Sequence, residues 1–278
     1  MIANHRRIFV IGDTQIKPGV PHDAMRWIGR ALVDYRVDVV IHLGDHWDHP
    51  SLSSYEKPGS ISLEGLRYSE DVLSGNVAFA TLCAPMEEER AKLVDGKRKQ
   101  WNPELYYIMG NHDVRADRAA ANDAKLVGTV GSDKCDTRNW TRVPYLKPIC
   151  IHGLYVSHFF PNQHSGKPIG GEVGARLNKI GASFVQGHEQ GMRYSNRIMS
   201  TGQTQHGLVL GSCYLHREGY RNGADRLWNG CAILNDVKDG EYDLMLLSLK
   251  YLCRKYEGVE LFDFLKAKYP HGDWEHHK

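Results

Sequence analysis

Hydrophobic positions along the chain come as short unbroken runs separated by helical stripes. Arg7–Ile11 is an apolar run ending in Gly12-Asp13, and Val37–Leu43 is a second run ending in Gly44-Asp45. Between them, Pro21 to Tyr35 carries Met25, Ile28, Leu32 and Val33 at helical spacing. The pattern predicts a β-α-β unit, and so a parallel or mixed sheet with helices packed outside it. Pro50–Gly59, rich in Ser, Pro and Gly, is expected to be loop. From about Leu63 to Lys99 a moderately amphipathic stretch, interrupted near Pro85, predicts a helical hairpin inserted between core strands. Its charge groups, Glu87–Arg90 and Lys97-Arg98-Lys99, fit a solvated helix face better than a nucleic-acid patch.

The strand pattern returns at Leu105–Met109, which ends in Gly110-Asn111-His112-Asp113, and a helix is expected over Val114–Val127. Pro148–Phe160 predicts two strands around His152-Gly153, followed by a Gly-rich loop, Ser165–Gly171, a helix, Glu172–Ile180, and a strand, Ser183–Gln186. Beyond Gly187 the pattern is β-rich: Arg197–Met199, Gly207–Leu210, Cys231–Val237 and Tyr242–Leu247, with Asp239-Gly240 as a hairpin turn. Helical segments close the chain, and the polar tail His271–Lys278 is expected to fray. No repeat or long linker divides the sequence. The expected organisation is one domain over residues 1–250 with a helical insertion at about 60–100, then a helical extension and tail over 251–278.

Composition narrows the class only a little. Lys and Arg total 35 against 33 Asp and Glu, a formal charge of +2 that neither demands a nucleic-acid partner nor excludes a local basic cleft. The longest apolar runs, Val37–Leu43 and Leu244–Leu249, are far too short to span a bilayer, so no membrane partner is expected. The first residues lead straight into a strand without a cleavage-type signal, and the six cysteines form no C-x-x-C pair. Reduced thiols and a cytoplasmic location are the corresponding expectations. Fifteen histidines raise the question of metal binding or acid–base chemistry.

Three strands in the first 113 residues end in polar clusters: Gly12-Asp13-Thr14-Gln15, Gly44-Asp45-His46-Trp47-Asp48 and Gly110-Asn111-His112-Asp113. Val156-Ser157-His158 and Gly187-His188-Glu189-Gln190 follow later. An open α/β sheet binds its ligands at such strand ends, and each glycine lets the chain turn and leaves room for a ligand. Taken singly, each cluster has a plainer account. Asp13 and Asp45 would be turn residues, Asn111 or Asp113 a helix cap, and His158 a core histidine.

Taken in order, the clusters resemble the calcineurin-like metallophosphoesterases, whose pattern is G-D-x-H, G-D-x-x-D, G-N-H-[DE], a lone His, then G-H-x-H. The resemblance runs over roughly residues 7–250. Ser157-His158-Phe159-Phe160 and Asn229-Gly230 are similar to a phage-borne branch, which would place the protein in a host cytoplasm. The resemblance implies an α/β sandwich of mixed sheets flanked by helices. It also implies hydrolysis of a phosphate ester by metal-activated water. In that scheme Asp45 bridges two metals, and Asn111, His158 and His188 complete a site for manganese or a similar transition metal. Asp13 anchors a second site, His112 supplies a proton, and Asp48 orients His112.

Two family histidines are glutamines here, Gln15 and Gln190, and both belong to the Asp13 site. The expected result is an oxygen-rich, weaker second site for magnesium or manganese, with His46, His49 and Glu189 as neighbours able to reinforce it. Arg115 and Arg118 are candidate phosphate contacts, against a solvated helix face as the plain account. Lys167 is a candidate in the Ser165–Gly171 loop, which does not match a P-loop and is otherwise a turn. Trp47, Tyr55 and Phe160 would line a pocket or pack in the core. His164 stays open, and His5, His22, His152, His206, His216 and the tail histidines are expected to be structural. The resemblance favours a phosphodiester of a nucleotide or nucleic acid. Its alternatives are a phosphomonoesterase on a small phosphate, or a non-catalytic binding protein with one degraded metal site.

Overall fold

Ile8 and Val10 project to one face of the first strand and Phe9 and Ile11 to the other, and all four are fully buried. Burial on both faces is why the sequence shows an unbroken apolar run there instead of alternation. The computed structural model describes residues 5–54, 56–57, 59–218 and 228–278, so the pocket role considered for Tyr55 lies outside the described residues. The order is β1 (Arg6–Ile11), α1 (Asp23–Tyr35), β2 (Val39–His42), α2 (Tyr68–Asp95), β3 (Glu104–Ile108), α3 (Arg115–Asn122) and β4 (Thr141–Val143). Then come β5 (Ile149–Ile151), β6 (Leu154–Ser157), α4 (Val173–Ile180), β7 (Phe184–Gln186), β8 (Arg193–Ile198) and β9 (Thr204–Val209). The chain closes with β10 (Gly230–Lys238), β11 (Glu241–Ser248), α5 (Leu249–Glu257) and α6 (Leu261–Lys268).

These strands form two mixed sheets, β11-β10-β1-β2-β3-β4 and β5-β6-β7-β9-β8. Ile8, Val10, Ile41 and Leu43 of the first meet Val156, Val185, Leu208 and Leu210 of the second in the space between them. On the outer face of the first sheet, Phe9, Ile11, Val40 and Tyr107 pack under Trp27, Phe79, Leu252 and Leu265 from α1, α2, α5 and α6. Phe184 and Val209 on the outer face of the second are covered by Val173 and Leu177 of α4. The result is the expected α/β sandwich. β1, β2 and β3 run parallel, so the polar clusters that follow them emerge at one edge. Among the described residues no helix is long and apolar enough to cross a membrane.

Four local expectations are corrected. The insertion is one continuous helix, α2, with Pro85 inside it, not a hairpin. Pro85 removes one helical hydrogen bond, yet α2 stays whole because α1 presses against it there. A Cβ on Gly29 of α1 would collide with the Leu82 carbonyl and the Pro85 ring. β8 begins four residues earlier than its apolar residues suggest, because its side chains alternate between half-buried and exposed. The helix after the third cluster ends at Asn122 rather than Val127. The tail is docked: His277 is buried and its Nε2 donates to the Leu215 carbonyl at 2.8 Å.

Candidate metal and catalytic site

The site is assembled from loops whose geometry the strands alone do not impose. Gln15, Asp45, His49, His188 and Gln190 all have φ between 40° and 70°, a left-handed conformation that non-glycine residues rarely adopt. Each costs on the order of 1 kcal/mol, and such strain collects where function fixes the backbone. The fold offsets it with a backbone lattice. Gln15 N–H donates to the Asp45 carbonyl at 2.8 Å, Ile16 N–H to the His46 carbonyl at 2.7 Å, and Asp48 N–H to the Ile16 carbonyl at 3.0 Å. The strand-end glycines make room for protein rather than for a ligand: Gly110 and Gly187 for these carboxylates, Gly12 and Gly44 for the Gly211 and Ile108 carbonyls. A Cβ at Gly110 would collide with Asp45 Oδ1, and one at Gly187 with Asp13 Oδ1.

Asp113 holds the lattice from beneath, and the sequence pattern assigns it only a cap. It is buried, and its carboxylate accepts N–H groups from Gly110 at 2.7 Å, Asp45 at 2.9 Å, and His46 and Trp47 at 3.1 Å. α3 begins at Arg115 with no side-chain cap, because Asp113 is turned inward. The signal for this role is present in the sequence: a carboxylate directly after a histidine that must face a ligand.

Asp45, Asn111, His158 and His188 converge. His158 Nε2 is 3.2 Å from Asp45 Oδ2, and both His158 Nε2 and His188 Nδ1 lie 2.9 Å from Asn111 Oδ1. Potential ligand atoms of Asp45, His158 and His188 all lie within 4.8 Å of one another. His158 Nδ1 donates to the Leu43 carbonyl at 2.7 Å, the outer bond that typically orients a metal-binding imidazole. Asp13 stands beside this group, fully buried, with both oxygens accepting the His188 N–H at 3.1 and 3.0 Å.

The charges here call for a cation. Burial, reinforced by the Asp45 charge, pushes Asp13 up to about 7. Burial would raise Asp45 too, but the imidazoles of His158 and His112 hold it far below the carboxylate range. Burial opposes a charged His158, yet Asp45 and Asp13 push it up to about 10. Burial and the His158 charge lower His188 to about 4. A divalent cation among these atoms would supply the positive charge that His158 otherwise has to carry, so the donor set fits a metal.

His112 lies at the mouth of this group. Its backbone N–H donates to Asp45 Oδ1 at 2.8 Å, and its Nδ1 donates to Asp48 Oδ1 at 2.5 Å. Its Nε2 is 3.9 Å from Asp45 Oδ2 and 3.4 Å from an Arg115 terminal nitrogen. Burial opposes protonation of His112, but Asp45 and Asp48 outweigh it and raise the imidazole above its ordinary range. Arg115 also donates to the Asp48 carbonyl at 2.7 Å and is mostly buried, so it is not a solvated face. Arg118 is exposed one turn later, its guanidinium 5.4 Å above the Tyr145 ring. Lys167 is exposed in its loop, where its backbone N–H donates to Ser165 Oγ.

Residues 6–188 match the family profile described as calcineurin-like phosphoesterase. The chain belongs to that family. Membership makes it a metal-dependent phosphoesterase, and a divalent metal is implied. A search of curated proteins finds no match. Among solved structures, TT1561 of Thermus thermophilus aligns at 12% identity with a TM-score of 0.39, covering 87% of this chain and 99% of that one.

The three neighbours considered as reinforcement for the Asp13 site face elsewhere in this phosphoesterase. His46 accepts from Thr14 Oγ1 at 2.7 Å and donates to the Gly75 carbonyl at 2.9 Å. Thr14 in turn accepts from His42 Nε2 at 3.2 Å, so this chain of neutral imidazoles runs away from the site. His49 faces Cys135, and Glu189 pairs with Arg176 and Arg193. Gln15 and Gln190 are both buried, and the Gln190 amide oxygen accepts from the Tyr214 hydroxyl at 2.7 Å. Trp47 is core, packed on Phe79, while Phe160 and His164 line a separate surface groove.

Proposed function

We propose that this phosphoesterase hydrolyses a phosphodiester of a nucleotide or nucleic acid, with His112 protonating the departing oxygen. The observation carrying this reading is that two cavities, each about 480 Å³, meet at Asn111, Arg115 and His188. A monoester needs one such arm and a diester needs two. One arm is lined by His112, Asp48, Glu56 and Glu218 with Pro50, Leu63 and Leu66. The other has Arg118, Tyr145, Phe159 and Asn122 and, among the described residues, no carboxylate. A cation over an aromatic floor suits a base and its flanking phosphate, so Arg118 is assigned to that phosphate. Lys167, exposed beside Pro168 at the rim of the same arm, is assigned an outer contact. Arg115 lines both arms and is assigned to the reacting phosphoryl group.

Asp45, Asn111, His158 and His188 are assigned to manganese or a similar transition metal, and Asp13, Asp45, Gln15 and Gln190 to a weaker magnesium or manganese site. Metal bound there supplies Lewis acidity towards the phosphoryl oxygens and towards water. The residues do the rest: Asp48 holds His112 in one ring orientation, and His112 Nε2, facing the cavity, gives its proton to the leaving oxygen.

His112→Asn tests the reaction assignment. On a phenyl phosphodiester its kcat should fall about a hundredfold, while the p-nitrophenyl ester, whose leaving group departs without a proton, should lose far less. Equal slowing of both esters would contradict the acid role. Metal analysis of purified protein tests the asymmetry between sites. One ion per chain should survive dialysis, because two amides replace two imidazoles at the Asp13 site. Two firmly retained ions would overturn the asymmetric assignment.

A further inference from the structure

The carboxylate that orients His112 is itself gripped from behind. Asp48 Oδ1 takes the His112 bond, and Asp48 Oδ2 accepts from Lys17 Nζ at 3.2 Å. Lys17 also donates to both oxygens of Glu218, at 2.7 and 2.8 Å, and Glu218 Oε1 accepts from His216 Nε2 at 2.6 Å. His112, Asp48, Lys17, Glu218 and His216 thus form one line of hydrogen bonds drawn from distant parts of the chain. The Asp48 and Glu218 side chains are 7% and 4% exposed and Lys17 is 22% exposed, so water competes weakly for these bonds. The Lys17 backbone follows directly on Ile16, which is paired with both His46 and Asp48. One backbone ladder therefore places the ammonium and the carboxylate together.

A carboxylate held at one oxygen can still rotate about its Cβ–Cγ bond and carry its partner with it. Held at both oxygens, it has one orientation, and so does the imidazole. Lys17 also places a positive charge between two buried carboxylates that would otherwise repel each other. From this geometry we infer that Lys17 is a positioning residue for proton delivery: it locks Asp48, and through Asp48 it aims His112. The inference rests on His112 being the acid. Neither the ordinary pattern of the clusters nor the metal ligands require a lysine there, and nothing in the sequence pattern marks it.

The test compares kcat and KM of Lys17→Met, Lys17→Gln, Lys17→Arg and His112→Asn, each metal-loaded, on phenyl and p-nitrophenyl phosphodiesters. Lys17→Met should lower kcat on the phenyl ester about tenfold more than on the p-nitrophenyl ester, with little change in KM or bound metal. Lys17→Arg should restore most of the phenyl-ester rate, and Lys17→Gln gives the same ratio of rates should the methionine variant fail to fold. Equal slowing of both esters by the neutral variants, or no rescue by arginine, would overturn the role of Lys17. If His112→Asn itself shows no dependence on the leaving group, the acid assignment fails instead, so the two failures are distinguishable.

Discussion

Asp45→Asn is expected to reduce phosphodiester turnover by about three orders of magnitude, which corresponds to roughly 4 kcal/mol of lost transition-state stabilisation. The substitution keeps size and shape, and the backbone N–H of residue 45 still has the Asp113 carboxylate to donate to at 2.9 Å. What changes is charge. Asp45 Oδ2 stands 3.2 Å from His158 Nε2 and 3.9 Å from His112 Nε2, so one carboxylate serves both the imidazole proposed to bind metal and the proposed acid. An amide removes the charge that would hold a divalent ion at the site proposed among Asn111, His158 and His188. Bound metal should fall with turnover, while thermal unfolding of the metal-free protein stays close to that of the metal-free parent. The measurement is kcat on a p-nitrophenyl phosphodiester with manganese, magnesium, zinc or nickel added, alongside metal analysis. A parent protein without turnover in any metal, matched by an unchanged variant, would favour a binding protein that has lost its chemistry.

The parts of the fold that are legible in the sequence are those buried on both faces. β1, β2 and β3 announce themselves because Ile8–Ile11 and Val39–Ile41 have no solvent side to require polar residues, and in Leu105–Ile108 only Tyr106 is partly exposed. Asp239-Gly240 is equally plain: both residues have positive φ, and the turn joins β10 to β11 directly. β8 is expected too short because a strand with one wet face spreads its apolar residues thinly. Pro85 misleads because a proline's cost is local, whereas the contact that offsets it comes from Gly29, more than fifty residues away in the chain.

The candidate site divides in the same way. Side chains that point at a ligand follow glycines at strand ends, and that spacing survives in the sequence. Of the side chains that support them, Asp48 and Asp113 keep a place in the clusters, but the others follow no spacing. Lys17 meets Glu218 across 201 residues, and His46 turns its ring to the Gly75 carbonyl on α2. His46 and His49 resemble spare ligands in the sequence because proximity to Asp45 and Asp48 along the chain says nothing about side-chain direction. Burial lowers both imidazoles to about 4, as expected for neutral rings committed to the interior. Of the fifteen histidines, the three that follow the strand-end pattern, His112, His158 and His188, are also the ones that gather around Asp45.

Asp113→Ala should be the most damaging change to stability among the site residues. The carboxylate collects four backbone N–H groups, from Gly110, Asp45, His46 and Trp47, and the Tyr107 hydroxyl also lies against it. Alanine leaves the Gly110, Asp45 and Trp47 donors buried without their acceptor, while the His46 N–H keeps the Tyr107 hydroxyl at 3.2 Å; the cost is about 3–5 kcal/mol, comparable to breaking a buried charged network. That is a large share of the roughly 5–15 kcal/mol that holds a typical domain folded. For a chain of this size it should lower the melting temperature by about 10 °C. Metal retention should fall as well, because residues 45, 111 and 112 all sit on backbone that Asp113 anchors. The contrast with Asp45→Asn is the decisive reading. One variant should lose chemistry with its metal-free melting temperature intact, and the other should lose both. Thermal unfolding with and without manganese separates them, and an Asp113→Ala protein melting within about 2 °C of the parent would show that the loops hold their strained conformations by other means.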